Sequence, residues 1–150
     1  SLWLRSKFLK FKSKKKFYKK IYIDRSDSTS NLSNKREITN ENNIKKILYN
    51  NKFKILRLSD FSFKDQIAIF NSAKVIVGNH GAGFTNLIFC KKNTKVIEFI
   101  NKNTSKTFKK ISKDLKLNYT SIKGKTIGVD AKNQYTNIKI SINQLKKKIN

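Results

Sequence analysis

The chain has 150 residues, which is long enough to bury a core and typical of a single domain. It carries 35 Lys+Arg against 9 Asp+Glu, a net charge of +26, and it has one cysteine, Cys90. One cysteine excludes a framework of intrachain disulfides, and no apolar run reaches the roughly 18 residues of a membrane-spanning helix.

Residues 1–20 form a basic lead-in segment with interleaved aromatic residues, "KFLKFKSKKKFYKK". One interpretation is a solvated helix whose Phe8, Phe11 and Phe17 cover an edge of the core. The alternatives are a patch that binds an anionic membrane surface and a strip that stacks nucleic-acid bases on its aromatic rings. We favour the solvated helix, because the excess of Lys, Asn and Ile is typical of an A/T-rich coding sequence and nucleic-acid readers favour Arg.

Residues 21–150 alternate between short β-branched runs and helical patterns. Strands are predicted at Ile21–Ile23, Lys54–Leu58, Lys74–Val77, Lys95–Ile100 and Tyr119–Ile122. Apolar residues recur at helical spacing in "TNENNIKKILYNN", "SFKDQIAIFNSA", "GFTNLIF", "SKTFKKISKDLKL" and the tail. Thr39 or Asn40 is the predicted cap of the first of these helices, and Ser62 with Asp65 gives the second a capping box.

This alternation predicts an α/β fold, a doubly wound parallel sheet of about five or six strands with helices on both faces, Rossmann-like in type. The segment Val75 to Val77 does not alternate with polar residues, so we expect it to be a central strand with parallel neighbours on both sides.

The segment "VGNHGAGFTN", Val77 to Asn86, holds the only histidine, His80, and three of the five glycines. Ligands bind outside the carboxyl ends of parallel strands, and a helix that begins there favours phosphate. Without a Cβ, Gly81 and Gly83 would let a ligand contact the backbone. His80 could donate a hydrogen bond to a phosphate oxygen; the alternative is a turn histidine that caps the helix or binds a backbone carbonyl.

Other known motifs fit this sequence poorly. A dinucleotide fingerprint fails because Asn86 stands where its third glycine should be, and "GKT" at Gly124–Thr126 lacks the earlier glycine of a Walker loop. "HGAG" resembles a hydrolase oxyanion loop, but the chain has no G-x-S-x-G motif. One His, one Cys and no Asp-x-Asp give no metal-ligand spacing, so we expect no metal.

The stretch Leu58 to Ile100, "LSDFSFKDQIAIFNSAKVIVGNHGAGFTNLIFCKKNTKVIEFI", resembles the C-terminal core of glycosyltransferase family 61. It shares the family's "SF-x-(E/D)-Q", "A-x-V-(I/L)-V-G-x-HGAG-(L/F)-(T/S)-N" and "T-x-VIE". Upstream, "IYIDR" and "KREITNENNI" resemble the family's "YISR" and "R-x-I-x-NE-x-E". Two positions depart from the pattern: Asp24 replaces the usual Ser, and the segment between Arg25 and Arg36 is longer than usual.

The resemblance implies the nucleotide-sugar lobe of a two-lobed, GT-B type transferase. Ser1 opens the chain and no methionine occurs, so we expect the native start to be missing. Members of the family are longer, so the resemblance implies a fragment that lacks the acceptor-binding lobe. The implied reaction transfers a sugar from a nucleotide diphosphate, with a UDP-sugar expected, to a glycan or protein hydroxyl, with inversion and without metal. The alternative is a non-catalytic basic module that binds polyanions such as nucleic acid or an anionic membrane surface.

The resemblance also assigns site residues. Arg25 and Arg36 would bind the diphosphate, although Arg36 could instead be a loop arginine paired with a glutamate. His80 and the backbone N–H groups of Gly81, Ala82 and Gly83 would line the diphosphate pocket. Thr85 and Asn86 would bind phosphate or sugar, or only cap the helix. Glu98 would accept from ribose or sugar hydroxyls, or be a structural carboxylate.

The resemblance implies no cofactor beyond the donor and places the catalytic base on the absent lobe or the acceptor. The expected partners are a nucleotide sugar and an acceptor, without specific nucleic acid. Cysteine usage fits a reducing compartment, so we expect a cytoplasmic location, at most peripheral to the inner face of a membrane.

Overall fold

Five α-helices and seven strands are present in the computed structural model, which describes residues 2–15, 17–26, 37–128 and 136–150. Helices α1 to α5 span Leu2–Lys10, Glu41–Asn50, Phe63–Ser72, Thr107–Asp114 and Ile142–Ile149. Strands β1 to β7 span Lys20–Asp24, Lys54–Arg57, Val75–Asn79, Lys95–Ile100, Asn118–Lys123, Lys125–Thr126 and Ile138–Lys139. Two 3₁₀ helices span Leu58–Asp60 and Ala82–Phe89. Arg36 lies outside the described residues.

The first five strands form one sheet in the order β2-β1-β3-β4-β5, and every neighbouring pair is parallel. Strand β3 lies in the middle, with Ile76 opposite Ile21 of β1 and opposite Val96 of β4. The predicted parallel α/β sheet is therefore confirmed, and so is the central position of the "VIV" strand.

Each face of the sheet has its own apolar core. Successive strand residues point to opposite faces, so Ile21 and Ile23 belong to one core and Tyr22 to the other. Helices α1, α3 and α4 cover the first face together with the second 3₁₀ helix, whereas α2 and α5 cover the second face. Burying one large apolar side chain stabilises a fold by about 1.5–3 kcal/mol, so both cores hold the strand ends in fixed positions.

The strand order creates a switch point between β1 and β3. From β1 the chain passes through α2, on the second face, to β2 at the sheet edge. It then returns through α3, on the first face, to β3 on the other side of β1. The segments that follow β1 and β3 consequently diverge and leave a crevice at the carboxyl ends of these strands, which is where open α/β sheets bind ligands. Arg25 and His80 are the residues that follow these two strands.

The basic lead-in contains helix α1, which packs on the first face. Phe8 and Phe17 contact the core as expected, but Phe11 is 61 % exposed. The Arg5 guanidinium donates to the carbonyl oxygens of Ile88 and Cys90 at 2.6 and 2.8 Å, which fixes α1 to the end of the second 3₁₀ helix. No helix within the described ranges is long and apolar enough to cross a membrane.

Two features differ from the predicted elements. The helix predicted after the glycine cluster is 3₁₀ rather than α. The short antiparallel pair β6 and β7 was not predicted; β7 also meets the segment before α2 through a bridge between Ile38 and Ile138. Such pairing between residues 100 positions apart leaves no signal in local periodicity.

Candidate functional site

The Arg25 side chain crosses the switch point from β1 to the end of β3. Its Nη1 donates to the carbonyl oxygen of His80 at 2.7 Å. A Cβ at Gly81 would lie 2.7 Å from Arg25 Cζ and 2.8 Å from Nη1, closer than real Cβ atoms approach any heavy atom. The guanidinium therefore lies in space that is open only because residue 81 is a glycine, and the position of Arg25 depends on Gly81.

The other two glycines of the cluster also face side chains of the chain itself. A Cβ at Gly78 would meet the Phe84 ring at 2.9 Å, and one at Gly83 would meet Leu58 Cδ1 at 3.0 Å. The sequence analysis predicted that Gly81 and Gly83 let a ligand contact the backbone. That role stays a prediction. In the structure, Arg25 lies in the space beside Gly81 and Leu58 lies in the space beside Gly83.

The carboxylate next to Arg25 has partners of its own. Asp24 Oδ2 accepts from the Lys45 ammonium at 2.8 Å, and Oδ1 accepts from the backbone N–H of Ser26 at 2.8 Å. Burial disfavours the ionised form, but these hydrogen bonds outweigh it, so the pKa of Asp24 lies below its ordinary value. Asp24 thus binds Lys45 of α2, while the Arg25 guanidinium binds a carbonyl.

The His80 imidazole lies on the first face of the sheet and contacts Glu98. Its Nδ1 is hydrogen-bonded to Glu98 Oε1, and the Tyr119 hydroxyl donates to Glu98 Oε2 at 2.5 Å. The Phe108 ring packs against the imidazole with centroids 4.9 Å apart. Burial, then the hydrogen bond to Glu98, raises the pKa of Tyr119 well above its ordinary value, so its hydroxyl keeps its proton.

Glu98 does not face the crevice. Its side chain is 1 % exposed, and each carboxylate oxygen already accepts one hydrogen bond. Of the two roles considered for Glu98, binding a sugar hydroxyl and holding the protein together, the structure supports the second.

Thr85 and Asn86 also make contacts inside the protein. The Thr85 hydroxyl donates to the Ala82 carbonyl at 2.6 Å. The Asn86 amide donates to Gln66 Oε1 at 3.0 Å, and Gln66 of α3 donates in turn to the carbonyl of Leu58 at 2.9 Å. The Asn86–Gln66 bond holds the second 3₁₀ helix against α3, so the Asn86 amide binds α3 and not Arg25.

A cavity of about 310 Å³ opens at the carboxyl end of β1, on the side of α2. It is lined by Tyr22, Ile23, Arg25, Ser26, Glu37, Ile38, Thr39, Glu41, Asn42 and Asn79. Sequence reasoning assigned no chemistry to Tyr22 or Glu41, although Glu41 belongs to the "NE" of the family pattern. The Tyr22 hydroxyl donates to Glu41 Oε1 at 2.7 Å, and burial, then the Glu41 charge, raises the pKa of Tyr22.

The asparagine before Glu41 binds the C-terminal segment of the chain. Asn40 is the residue that precedes α2, but its side chain makes no capping bond. Instead its Nδ2 donates to the Ile140 carbonyl at 2.8 Å, and its Oδ1 accepts from the Ile140 N–H at 3.0 Å. The predicted cap therefore serves as a bridge to the C-terminal segment.

The described ranges contain no group of three or more His, Cys, Asp or Glu side chains that could hold a metal ion. The charged groups at the switch point include the Arg25 guanidinium, the Asp24–Lys45 pair and the carboxylates of Glu37 and Glu41. His80 and Glu98 lie beneath the β3 turn.

A parallel α/β sheet with cationic and polar side chains at its switch point defines the class of Rossmann-like ligand-binding domains. Within this class, the sequence pattern of Glycosyltransferase 61 matches residues 3–97, which is more than half of the chain. The chain belongs to glycosyltransferase family 61, and the resemblance predicted from its motifs is confirmed.

One relative is a beta-1,2-xylosyltransferase of Arabidopsis thaliana. It is 42 % identical over 43 residues, which is 29 % of this chain and 8 % of that protein. The similarity therefore covers a small part of a much longer protein.

Proposed function

We propose that this chain binds the nucleotide-sugar donor of a glycosyltransferase, with a UDP-sugar as donor and a hydroxyl of a glycan or protein as acceptor. Family membership supports the reaction class. The observation that carries the proposal for the site is the Arg25 guanidinium, which is held over Gly81 and bonded to the His80 carbonyl at the switch point.

The diphosphate would lie against Arg25. Only Nη1 of the guanidinium has an acceptor among the described residues, so its other N–H groups can bind phosphate oxygens. Arginine is always charged and presents a planar fork that fits two phosphate oxygens at once. The cavity beside Arg25 would receive a hydroxyl-bearing part of the donor, with Glu41 accepting from a ribose or sugar hydroxyl.

We propose that the leaving diphosphate is stabilised without a metal. Arg25 and His80 would supply the charge and the hydrogen bonds that a divalent cation supplies elsewhere. Reaction with inversion requires a general base on the acceptor hydroxyl. We place that base on the acceptor-binding lobe of the whole enzyme.

Calorimetric titration with UDP and with uridine tests the diphosphate site. Arg25→Ala should weaken UDP binding about tenfold to hundredfold, because a charge-assisted hydrogen bond contributes roughly 1.5–3 kcal/mol, and should leave uridine binding unchanged. The control is Arg57→Ala, since Arg57 is half-exposed and pairs with the exposed Asp60 at 3.2 Å. Equal losses for UDP and uridine, or equal losses in both variants, would contradict the proposal.

A further inference from the structure

We infer that Glu98 and Tyr119 are positioning residues, which hold the His80 imidazole with Nδ1–H directed into the protein and Nε2 directed to the crevice. The role of Nε2 in diphosphate binding rests on the proposed function, whereas the orientation of the ring does not.

The first support is that three adjacent strands build the arrangement. Glu98 of β4 lies opposite Gly78 of β3, two residues before His80. Tyr119 lies on β5, the next strand of the sheet. The hydrogen bonds therefore run from Tyr119 on the edge strand, through the buried Glu98 of β4, to His80 after the central strand.

Both backbone groups of His80, the N–H and the carbonyl, are hydrogen-bonded. Its N–H donates to the Phe99 carbonyl at 3.0 Å, and its carbonyl accepts from Arg25 at 2.7 Å. The Phe108 ring covers one side of the imidazole. These contacts fix the His80 backbone and cover one side of the ring, and Nδ1 lies at Glu98.

The hydrogen-bond pattern also indicates which ring nitrogen carries a proton. Tyr119 keeps its hydroxyl proton and donates it to Oε2. We infer that Oε1 likewise accepts, as an ionised carboxylate does at both oxygens, and that Nδ1–H is its donor. Nε2 has no hydrogen-bond partner among the described residues and belongs to a side chain that is 15 % exposed. It is the nitrogen left for a ligand.

This arrangement sets what Nε2 can do. With Nδ1–H bound to Glu98, Nε2 donates to a phosphate oxygen only when the ring carries a second proton. The ionisable groups that contact His80 within the described ranges are Glu98 of β4, and Arg25 at the carbonyl; α4 contributes the apolar Phe108 ring. The buried Glu98 carboxylate is thus the counter-charge for an imidazolium that faces an anionic ligand.

Because His80 is the only histidine, ¹⁵N spectroscopy of its ring reads this orientation without ambiguity. In the wild-type chain we expect Nδ1 to carry a proton, and Nε2 to be the nitrogen whose signal moves when UDP is added. Glu98→Gln should remove the preference for Nδ1–H and weaken UDP binding about tenfold, because a neutral amide cannot hold Nδ1–H by a charge-assisted hydrogen bond. Tyr119→Phe should change the same ring signals to a smaller extent. This second variant tests the inference if Glu98→Gln fails to fold.

The matched control is Tyr22→Phe, which removes the other tyrosine–glutamate bond, on the opposite face of the sheet. It should leave the His80 ring signals unchanged. A bare Nδ1 in the wild type, or ring signals that neither Glu98→Gln nor Tyr119→Phe alters, would overturn the inference. If the ring signals are as expected but UDP does not bind, the orientation of His80 is supported and the proposed function fails.

Discussion

Gly81 is the residue at which the packing of the crevice is tightest. Its φ is 166°, extended backbone that any residue adopts, so Gly81→Ala adds no backbone strain. The new Cβ would displace the flexible end of Arg25. We expect UDP affinity to fall about tenfold, which corresponds to about 1.4 kcal/mol. The free energy of unfolding should change by less than about 1 kcal/mol.

Gly124→Ala is the matched control for Gly81→Ala. Its Cβ would meet Ile138 Cβ at 2.7 Å, an atom that cannot move aside without the backbone. It should therefore lower the free energy of unfolding by about 1–3 kcal/mol and leave UDP affinity unchanged. Calorimetry and urea unfolding of both variants give the comparison, and a Gly81→Ala variant with full UDP affinity would contradict the assignment of Arg25.

Asp24 makes the stability of the fold depend on pH in the acid range. Its pKa in the folded state is below the ordinary value of about 3.9, so its hydrogen bonds contribute stability above that pH. The contribution is lost as the pH falls through the folded-state pKa. Asp24→Asn should therefore be less stable than wild type at neutral pH, with a difference that shrinks below about pH 4. Urea unfolding at several pH values measures this, and a difference independent of pH would contradict it.

The sequence indicated that Arg25 and His80 lie at the same edge of the sheet, because each follows a strand of one parallel sheet. It did not indicate that Gly81 fits the Arg25 side chain or that Glu98 lies beneath His80. Those contacts depend on which strands are neighbours and on the register of β3 with β4, and local periodicity contains neither. The predicted binding roles of Gly81, Ala82 and Gly83 remain predictions, and so does that of Arg36.

At the scale of elements, Asn40 connects the start of α2 to the segment that leads into α5. Asn40→Ala would leave the N–H and carbonyl of Ile140 without their partners, and Ile140 is 1 % exposed. A buried backbone group that loses its hydrogen bond costs about 1–3 kcal/mol, so we expect a loss of about 2 kcal/mol or more in the free energy of unfolding. The amide hydrogen of Ile140 should also exchange faster.

Asn43→Ala is the control for this prediction, since Asn43 is exposed on the same helix. Its effect should lie within about 0.5 kcal/mol, as for most surface substitutions. Equal losses for Asn40→Ala and Asn43→Ala in urea unfolding would show that the Ile140 bridge is not what stabilises this segment.

Elements with a strong period were predictable from sequence. Lys95–Ile100 is a strand as predicted, and Ser62 caps α3 through the Asp65 N–H at 3.2 Å. The 3₁₀ form of Ala82–Phe89 was not predictable, because apolar spacing does not distinguish a 3₁₀ helix from a short α-helix. The bridge between Asn40 and Ile140 was missed because asparagine before a helix normally predicts a cap.

At the scale of the whole molecule, the net charge of +26 raises the question of whether the chain binds a nucleotide sugar or a polyanion. The dependence of affinity on salt distinguishes these two functions. A chain that binds polyanions through its lysines should lose affinity steeply with salt, by a slope that reports the number of phosphate contacts. A shaped site that depends on Arg25 and His80 should lose affinity modestly, because contacts in a crevice are less screened than exposed charges.

The most direct measurement is the titration of ¹⁵N-labelled chain with UDP in EDTA, followed through its backbone amide signals. Binding at the switch point predicts that the largest shifts occur at Arg25, His80 and Gly81, that they persist at 0.15 M salt, and that added Mg²⁺ does not change them. Shifts spread over the lysines of α1, α4 and α5, shifts that vanish with salt, or binding that requires a divalent metal would contradict a metal-independent diphosphate site between β1 and β3.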